Sequence, residues 1–138
     1  MTVQTLLLID ESPSLMAVMK RILEREGYRV RCADSLACAR AMYTELRPDG
    51  IILGKEAKDG SGLDYCRELR GISDLPIMFC SGDRADELAA FRCGASDFLK
   101  MPYDYDVLKA RIYVMLSGNA RESPNNYGSR DTPKLPPE

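Results

Sequence analysis

Arg47-Pro48-Asp49-Gly50-Ile51-Ile52-Leu53-Gly54-Lys55-Glu56-Ala57-Lys58-Asp59-Gly60-Ser61-Gly62-Leu63 is the stretch on which the reading turns. It leaves a helix at Arg47-Pro48, runs through a short apolar strand at Ile51 to Leu53, and opens into a glycine-rich loop. In open α/β sheets, ligands and chemistry gather at the carboxyl ends of strands. This strand ends at Gly54, which brings no side chain to that edge.

Working outward, Thr5 to Ile9 is a continuous apolar run, the pattern of a parallel strand buried on both faces. It ends in Asp10-Glu11. Ser12-Pro13 reads as an N-cap with proline in the first helical turn. The spacing of Leu15, Val18, Met19, Ile22 and Leu23 predicts the buried stripe of a first helix, stopped at Gly27. Tyr28 to Cys32 reads as a second strand, and Asp34 or Ser35 as the cap of a helix from Leu36 to Leu46. Beyond the central stretch, Ser61 caps a short helix carrying Leu63, Cys66 and Leu69. Ile77 to Cys80 is a fourth strand, and Asp83 is placed to cap a helix through Phe91 that ends at Gly94. Asp97 to Lys100 is the fifth strand. After the Met101-Pro102 turn, Asp104 caps a last helix with Val107, Leu108, Ile112 and Met115 inward. Five alternations of strand and helix predict a five-stranded doubly wound parallel sheet with helices on both faces. That domain spans residues 1–117. Residues 118–138 carry four prolines, two adjacent asparagines and little apolar content, the composition of a flexible tail or interdomain linker.

Composition narrows the function. Nineteen Lys and Arg against 21 Asp and Glu leave a formal charge of −2. This balance offers no electrostatic footprint for direct nucleic-acid binding or an anionic membrane. With no histidine, the chain carries no phosphohistidine, His-based triad or His-ligated metal of its own. Five scattered cysteines, Cys32, Cys38, Cys66, Cys80 and Cys93, read as small buried apolar residues of a reducing compartment. The absence of a signal core and of an apolar run near ~20 residues leads to the expectation of a cytoplasmic protein.

The parallel topology brings Asp10-Glu11, Gly54, Ser81 and Lys100-Met101 to one edge. A carboxylate pair beside a hydroxyl and a lysine is equipment for a divalent cation and a phosphoryl group. Taken with LLLIDESPSL, REGYRVRCA, RPDGIIL, DGSGLDYCRELR, LPIMFCSG and GASDFLKMPYDYDVLKARI, these residues resemble the receiver domain of bacterial two-component response regulators. The resemblance covers about Gln4 to Ser117. It implies a (βα)5 flavodoxin-like fold and a signalling module rather than an enzyme, with a histidine kinase, an adaptor or an output domain as partner.

The departures from that family are concentrated at the site. By resemblance, Gly54 stands where the phosphoacceptor aspartate would be, and Met101 where the phosphoryl-contacting lysine would be. Ser81 and Phe98 occupy the hydroxyl and aromatic switch positions, and Glu11 replaces the commoner second aspartate. Asp49 lies five residues before Gly54, about 16 Å away at ~3.3 Å per residue. Glu56 comes two residues late, and Asp59 matches an ordinary Asp-Gly turn. Asp10 and Glu11 alone predict weak or absent Mg²⁺ binding, since Mg²⁺ demands near-octahedral oxygen ligation. The expectation is a phosphorylation-independent pseudo-receiver that needs no cofactor. The alternative is a divergent phosphorelay receiver phosphorylated on Glu56 or Asp59. A small-molecule sensor using the space at Gly54 is a third reading.

Two further expectations concern charge. Lys55, Lys58 or Lys100 could swing toward Asp10-Glu11 and supply the missing positive charge; solvated lysines are the plainer reading. Asp97 and Arg111 match positions that pair across a dimer face in the winged-helix branch of the family. Arg84, Asp86, Glu87 and Arg92 are placed to join that network, or to form an ordinary solvated face.

Overall fold

A computed structural model describes residues 2–117. Thr5–Ile9 (β1), Arg29–Ala33 (β2), Gly50–Gly54 (β3), Ile77–Ser81 (β4) and Asp97–Lys100 (β5) form one parallel sheet in the order β2-β1-β3-β4-β5. The helices are Pro13–Arg25 (α1), Leu36–Leu46 (α2), Gly62–Arg70 (α3), Asp86–Arg92 (α4) and Tyr105–Leu116 (α5). A two-residue antiparallel ladder, Glu56–Ala57 with Gly60–Ser61, closes the loop between β3 and α3.

Alternation along the strands divides the core in two, because successive side chains point to opposite faces. Leu7, Ile9, Ile51, Leu53 and Phe79 face α2, α3 and α4, where they meet Ala39, Tyr65, Leu69 and Ala90. Leu6, Leu8, Ile52, Met78 and Leu99 face α1 and α5, against Met19, Leu23, Leu108 and Ile112. Burial on both faces explains why β1, β3 and β4 read as unbroken apolar runs.

Local signals act as expected at most boundaries. Ser12 Oγ accepts from Leu15 N–H, Ser35 Oγ from Cys38 N–H and Ser61 Oγ from Asp64 N–H, while Asp104 accepts from Asp106 and Val107. Gly27 and Gly94 adopt φ of 98° and 103°, the left-handed conformation that ends a helix.

Several expectations are corrected. In α1 the buried positions are Met16, Met19 and Leu23, and Val18 is 48% exposed; the stripe is turned so that α1 shares a groove with Tyr105 and Lys109 of α5. In α5, Val107 is 43% exposed and Leu116 is buried in its place. Strand β2 begins at Arg29 rather than Tyr28. Asp83 does not cap α4. Its carboxylate accepts from Ala85 N–H within a turn, and the helix starts only at Asp86. Cys38 is exposed and Cys32 half-buried, so only Cys66, Cys80 and Cys93 fit the buried reading; all five are free thiols. The tail expected over residues 118–138 lies outside the described residues. Among the described residues, no helix is long and apolar enough to cross a membrane.

Candidate functional site

The register Ile9↔Leu53 between β1 and β3 continues one step to set Asp10 beside Gly54. Asp10 turns into the room that a side chain at 54 would take. A Cβ added at Gly54 would collide with Asp10 Oδ2 and lie 2.9 Å from its Cγ. The other oxygen, Oδ1, accepts the Ser12 N–H at 2.9 Å. Burial raises the Asp10 carboxyl above its ordinary value, with the Ser12 hydrogen bond pulling the opposite way. The cavity remaining beside Gly54 is about 10 Å³. That is near the ~10–15 Å³ minimum for one water and far below the roughly 300 Å³ at which ligand pockets begin. It leaves no room for the small-molecule ligand expected under the third reading.

Glu11 is exposed, and its backbone N–H donates to the Glu56 carbonyl at 3.0 Å. Among the described residues, no group of three or more Cys, Asp or Glu side chains is placed to hold a metal ion. Asp10 has one oxygen spent on Ser12 and the other against Gly54, a poor match to the several oxygens Mg²⁺ requires.

The three lysines find other partners. Lys55 Nζ lies 3.0 Å from Asp86 Oδ2, Lys58 Nζ lies 2.8 Å from Asp34 Oδ2, and Lys100 Nζ donates to the Met101 carbonyl at 2.8 Å. Of the alternative carboxylates, Asp59 is committed to α2: its oxygens accept the Leu36 and Ala37 N–H groups at 2.5 and 3.1 Å. The Leu36 hydrogen bond is the main reason its carboxyl falls below the usual range. Glu56 is exposed on the short ladder. Asp49, at the far end of the sheet, accepts the Thr5 N–H at 2.7 Å.

On the other side of Gly54, Ser81 is buried at the end of β4. Its hydroxyl donates to Asp86 Oδ2 at 2.6 Å and accepts the Asp83 N–H at 3.0 Å. Asp86 is the residue that sequence reasoning misplaced. With Asp83 taken as the cap, Asp86 belonged to an outer helical face; with α4 beginning at Asp86, its side chain turns back to the end of β4. The signal available was the absence of any Ser, Thr, Asn or Asp at residue 85, which leaves the helix with no side-chain cap. Phe98 is buried against Phe79, with ring centroids 6.3 Å apart, and the Arg84 guanidinium lies 5.9 Å from its ring centre. Asp97 Oδ1 and Arg111 are 2.9 Å apart within the chain. Burial raises the Asp97 carboxyl, against the Phe98 N–H and Arg111. Met101 follows β5 and precedes a cis bond to Pro102.

The family model described as the response regulator receiver domain matches residues 6–113. This chain belongs to that family. It is 31% identical to the KDP operon transcriptional regulatory protein KdpE of Escherichia coli (strain K12), over 80% of this chain and 50% of that one. It is 32% identical to the transcriptional regulatory protein AfsQ1 of Streptomyces coelicolor, over 91% of this chain and 57% of that one. The signal receiver domain of a response regulator from Bermanella marisrubri superposes with a TM-score of 0.77 at 28% identity, covering 84% of this chain and all of that one. The receiver chain spans about half the length of the curated relatives it matches.

Proposed function

We propose that this receiver works through protein contacts without taking up a phosphoryl group. The observation that carries the reading is Asp10 filling the room beside Gly54. An acceptor carboxylate is not only missing at 54; its space is used by the residue that would otherwise offer oxygens to a cation. Met101 brings no charge to the position of the phosphoryl-contacting lysine, and Lys100 is turned onto a backbone carbonyl. The competing reading places the phosphoryl group on Glu56 or Asp59. It is weakened at Asp59 by the capping bonds to α2, which a phosphoryl group would break. Mg²⁺ is not required.

The relatives named as transcriptional regulatory proteins point to an output domain as the element controlled. A histidine kinase or adaptor is the partner class for the input side. A homodimer through α4, β5 and α5 is the assembly in which Asp97 and Arg111 would exchange partners between copies. The deciding experiment is an NMR titration of the chain with Mg²⁺ and then beryllofluoride, an acyl-phosphate mimic. The expected result is unchanged amide signals at Asp10, Gly54 and Ser81. Saturable shifts spreading from these residues to Phe98 would overturn the proposal.

A further inference from the structure

Lys55 leaves the sheet one residue after Gly54, and its ammonium reaches across to Asp86, the first residue of α4. The Asp86 oxygen that meets Lys55 is the one that accepts the Ser81 hydroxyl. Ser81 also accepts the Asp83 N–H. An ammonium, a carboxylate and a hydroxyl thereby connect the loop after β3, the end of β4 and the start of α4. Two residues before Asp86, Arg84 covers the Phe98 ring and pairs with Glu87 at 3.2 Å. The segment between β4 and α4 is therefore held from the Gly54 side by the bridge and from the β5 side by the stacked guanidinium. The bridge is unequally accessible: the Lys55 side chain is 46% exposed and that of Asp86 16%.

We propose that the Lys55–Asp86–Ser81 bridge is the switch of this module, joining without phosphate the two loops that frame position 54. The inference rests on the phosphate-independent reading above. The bridge closed holds Ser81 on Asp86 and fixes the Arg84–Phe98 stack. The bridge opened frees the segment from Asp83 to Asp86, and with it the surface that α4 and β5 present. Because Lys55 is the exposed member, the partner suited to open it is a carboxylate-bearing protein segment that competes for the ammonium. Charge-assisted hydrogen bonds of this kind are strong when shielded and weaken when water or a rival ion enters.

The test compares amide spectra of the 138-residue chain with those of the variants K55Q, K55R, D86N and K55Q/D86N. The expected result is that K55Q and D86N displace a common set of signals, Ser81 to Leu88 and Asp97 to Leu99, in the same direction. The double variant moves them no further than D86N alone, and K55R leaves them in place. Displacements confined to each substituted residue's neighbours, or additive in the double variant, would overturn the proposal. The Lys55 side chain is 46% exposed, so K55Q keeps the test readable even where D86N loosens α4. Labelling of the wild-type chain with an acyl-phosphate donor separates the two ideas. Incorporation would defeat the phosphate-independent reading, whereas the variant spectra decide the bridge by themselves.

Discussion

At the scale of single residues, a carboxylate withdrawn from water is harder to ionise, and Asp10 is in that position. Its pKa is higher in the folded chain than in the unfolded one. The stability it contributes is therefore present below the ordinary carboxylate range and is lost as pH rises through the folded value. Near neutral pH the ionised group is a net cost. Asp10→Asn should accordingly raise the melting temperature at about pH 7, since the amide oxygen can still accept from Ser12. The gain should shrink as pH falls through the raised folded value and be gone below about 4, the ordinary aspartate value, where the carboxyl is neutral in both states. Thermal melts of both proteins across that range check the prediction; a gain independent of pH would show that the charge is not the cause. Asp86 runs the other way. The Ser81 hydroxyl first, then Lys55, hold its carboxyl low, so its contribution is present above the unfolded value and is lost only in acid. The two aspartates thus place opposite demands on one sheet edge. Gly54 and the acids around it are plain in the sequence. That Asp10 folds into the space at 54 is not, because it depends on a β1–β3 register that strands 40 residues apart settle between them.

Secondary-structure elements meet most closely where α3 begins. Gly62 N–H donates to the Lys55 carbonyl at 2.8 Å, and a Cβ at 62 would run into the Gly54 carbonyl oxygen, with its carbon 3.1 Å away. Both obstacles are backbone, so neither yields cheaply. Gly62→Ala should cost at least about 2 kcal/mol, toward the upper part of the range for overpacked sites, measured by urea denaturation. A change within ~0.5 kcal/mol would mean that the β3–α3 junction is more pliable than its contacts imply. A second junction depends on Arg70, whose guanidinium donates to the carbonyls of Gly94, Ser73 and Leu75 at 2.8, 3.0 and 2.7 Å. It binds the end of α3 to the segments entering β4 and β5. Arg70→Met keeps much of the stem but strands three acceptors. About 1–3 kcal/mol per buried acceptor is an upper bound here, as the site is only half-buried. A loss of roughly 2 kcal/mol, with protection from hydrogen exchange falling first at Ser96 and Ile77, is the expected outcome. At this scale the glycine stops and the caps of α1, α2, α3 and α5 were legible because they are local chemistry, whereas the start of α4 was not. The rotations of α1 and α5 about their axes were not. Apolar residues nearly surround α5, and in α1 they fill one wide arc from Val18 through Leu15 to Met16, so periodicity alone does not choose between Leu15 or Val18 and Met16, or between Val107 and Leu116. Packing on the sheet makes that choice.

For the whole molecule, the question is which surface the receiver presents under the phosphate-independent reading proposed above. Helix α5 leaves Val107 and Val114 exposed on either side of Arg111, positions spaced i, i+4 and i+7 and so on one face. Helix α4 adds Leu88, 59% exposed. Isolated apolar residues on a surface need no explanation, but Val107 and Val114 share the helix face of Arg111, the partner of Asp97. In the single chain that pair is closed on itself at 2.9 Å. Exchange between two copies would bury the valines around it and exclude water from the ions, where their attraction counts for more than in an exposed pair. The expected behaviour is reversible self-association in sedimentation velocity as concentration rises. Acyl-phosphate donors should not change it, and Val107→Asp should weaken it about tenfold, the effect of ~1.4 kcal/mol, by placing a charge in the contact. A monomer at every concentration would remove the dimer and leave the α4 and α5 surface to a different partner. Association that strengthens on adding the donor would instead return phosphate to the mechanism. Coupling to the Lys55–Asp86 bridge gives this prediction its last step, because Arg84 links that bridge to Phe98 on β5. K55Q should then alter the association constant without touching any residue of the contact, and K55R should not.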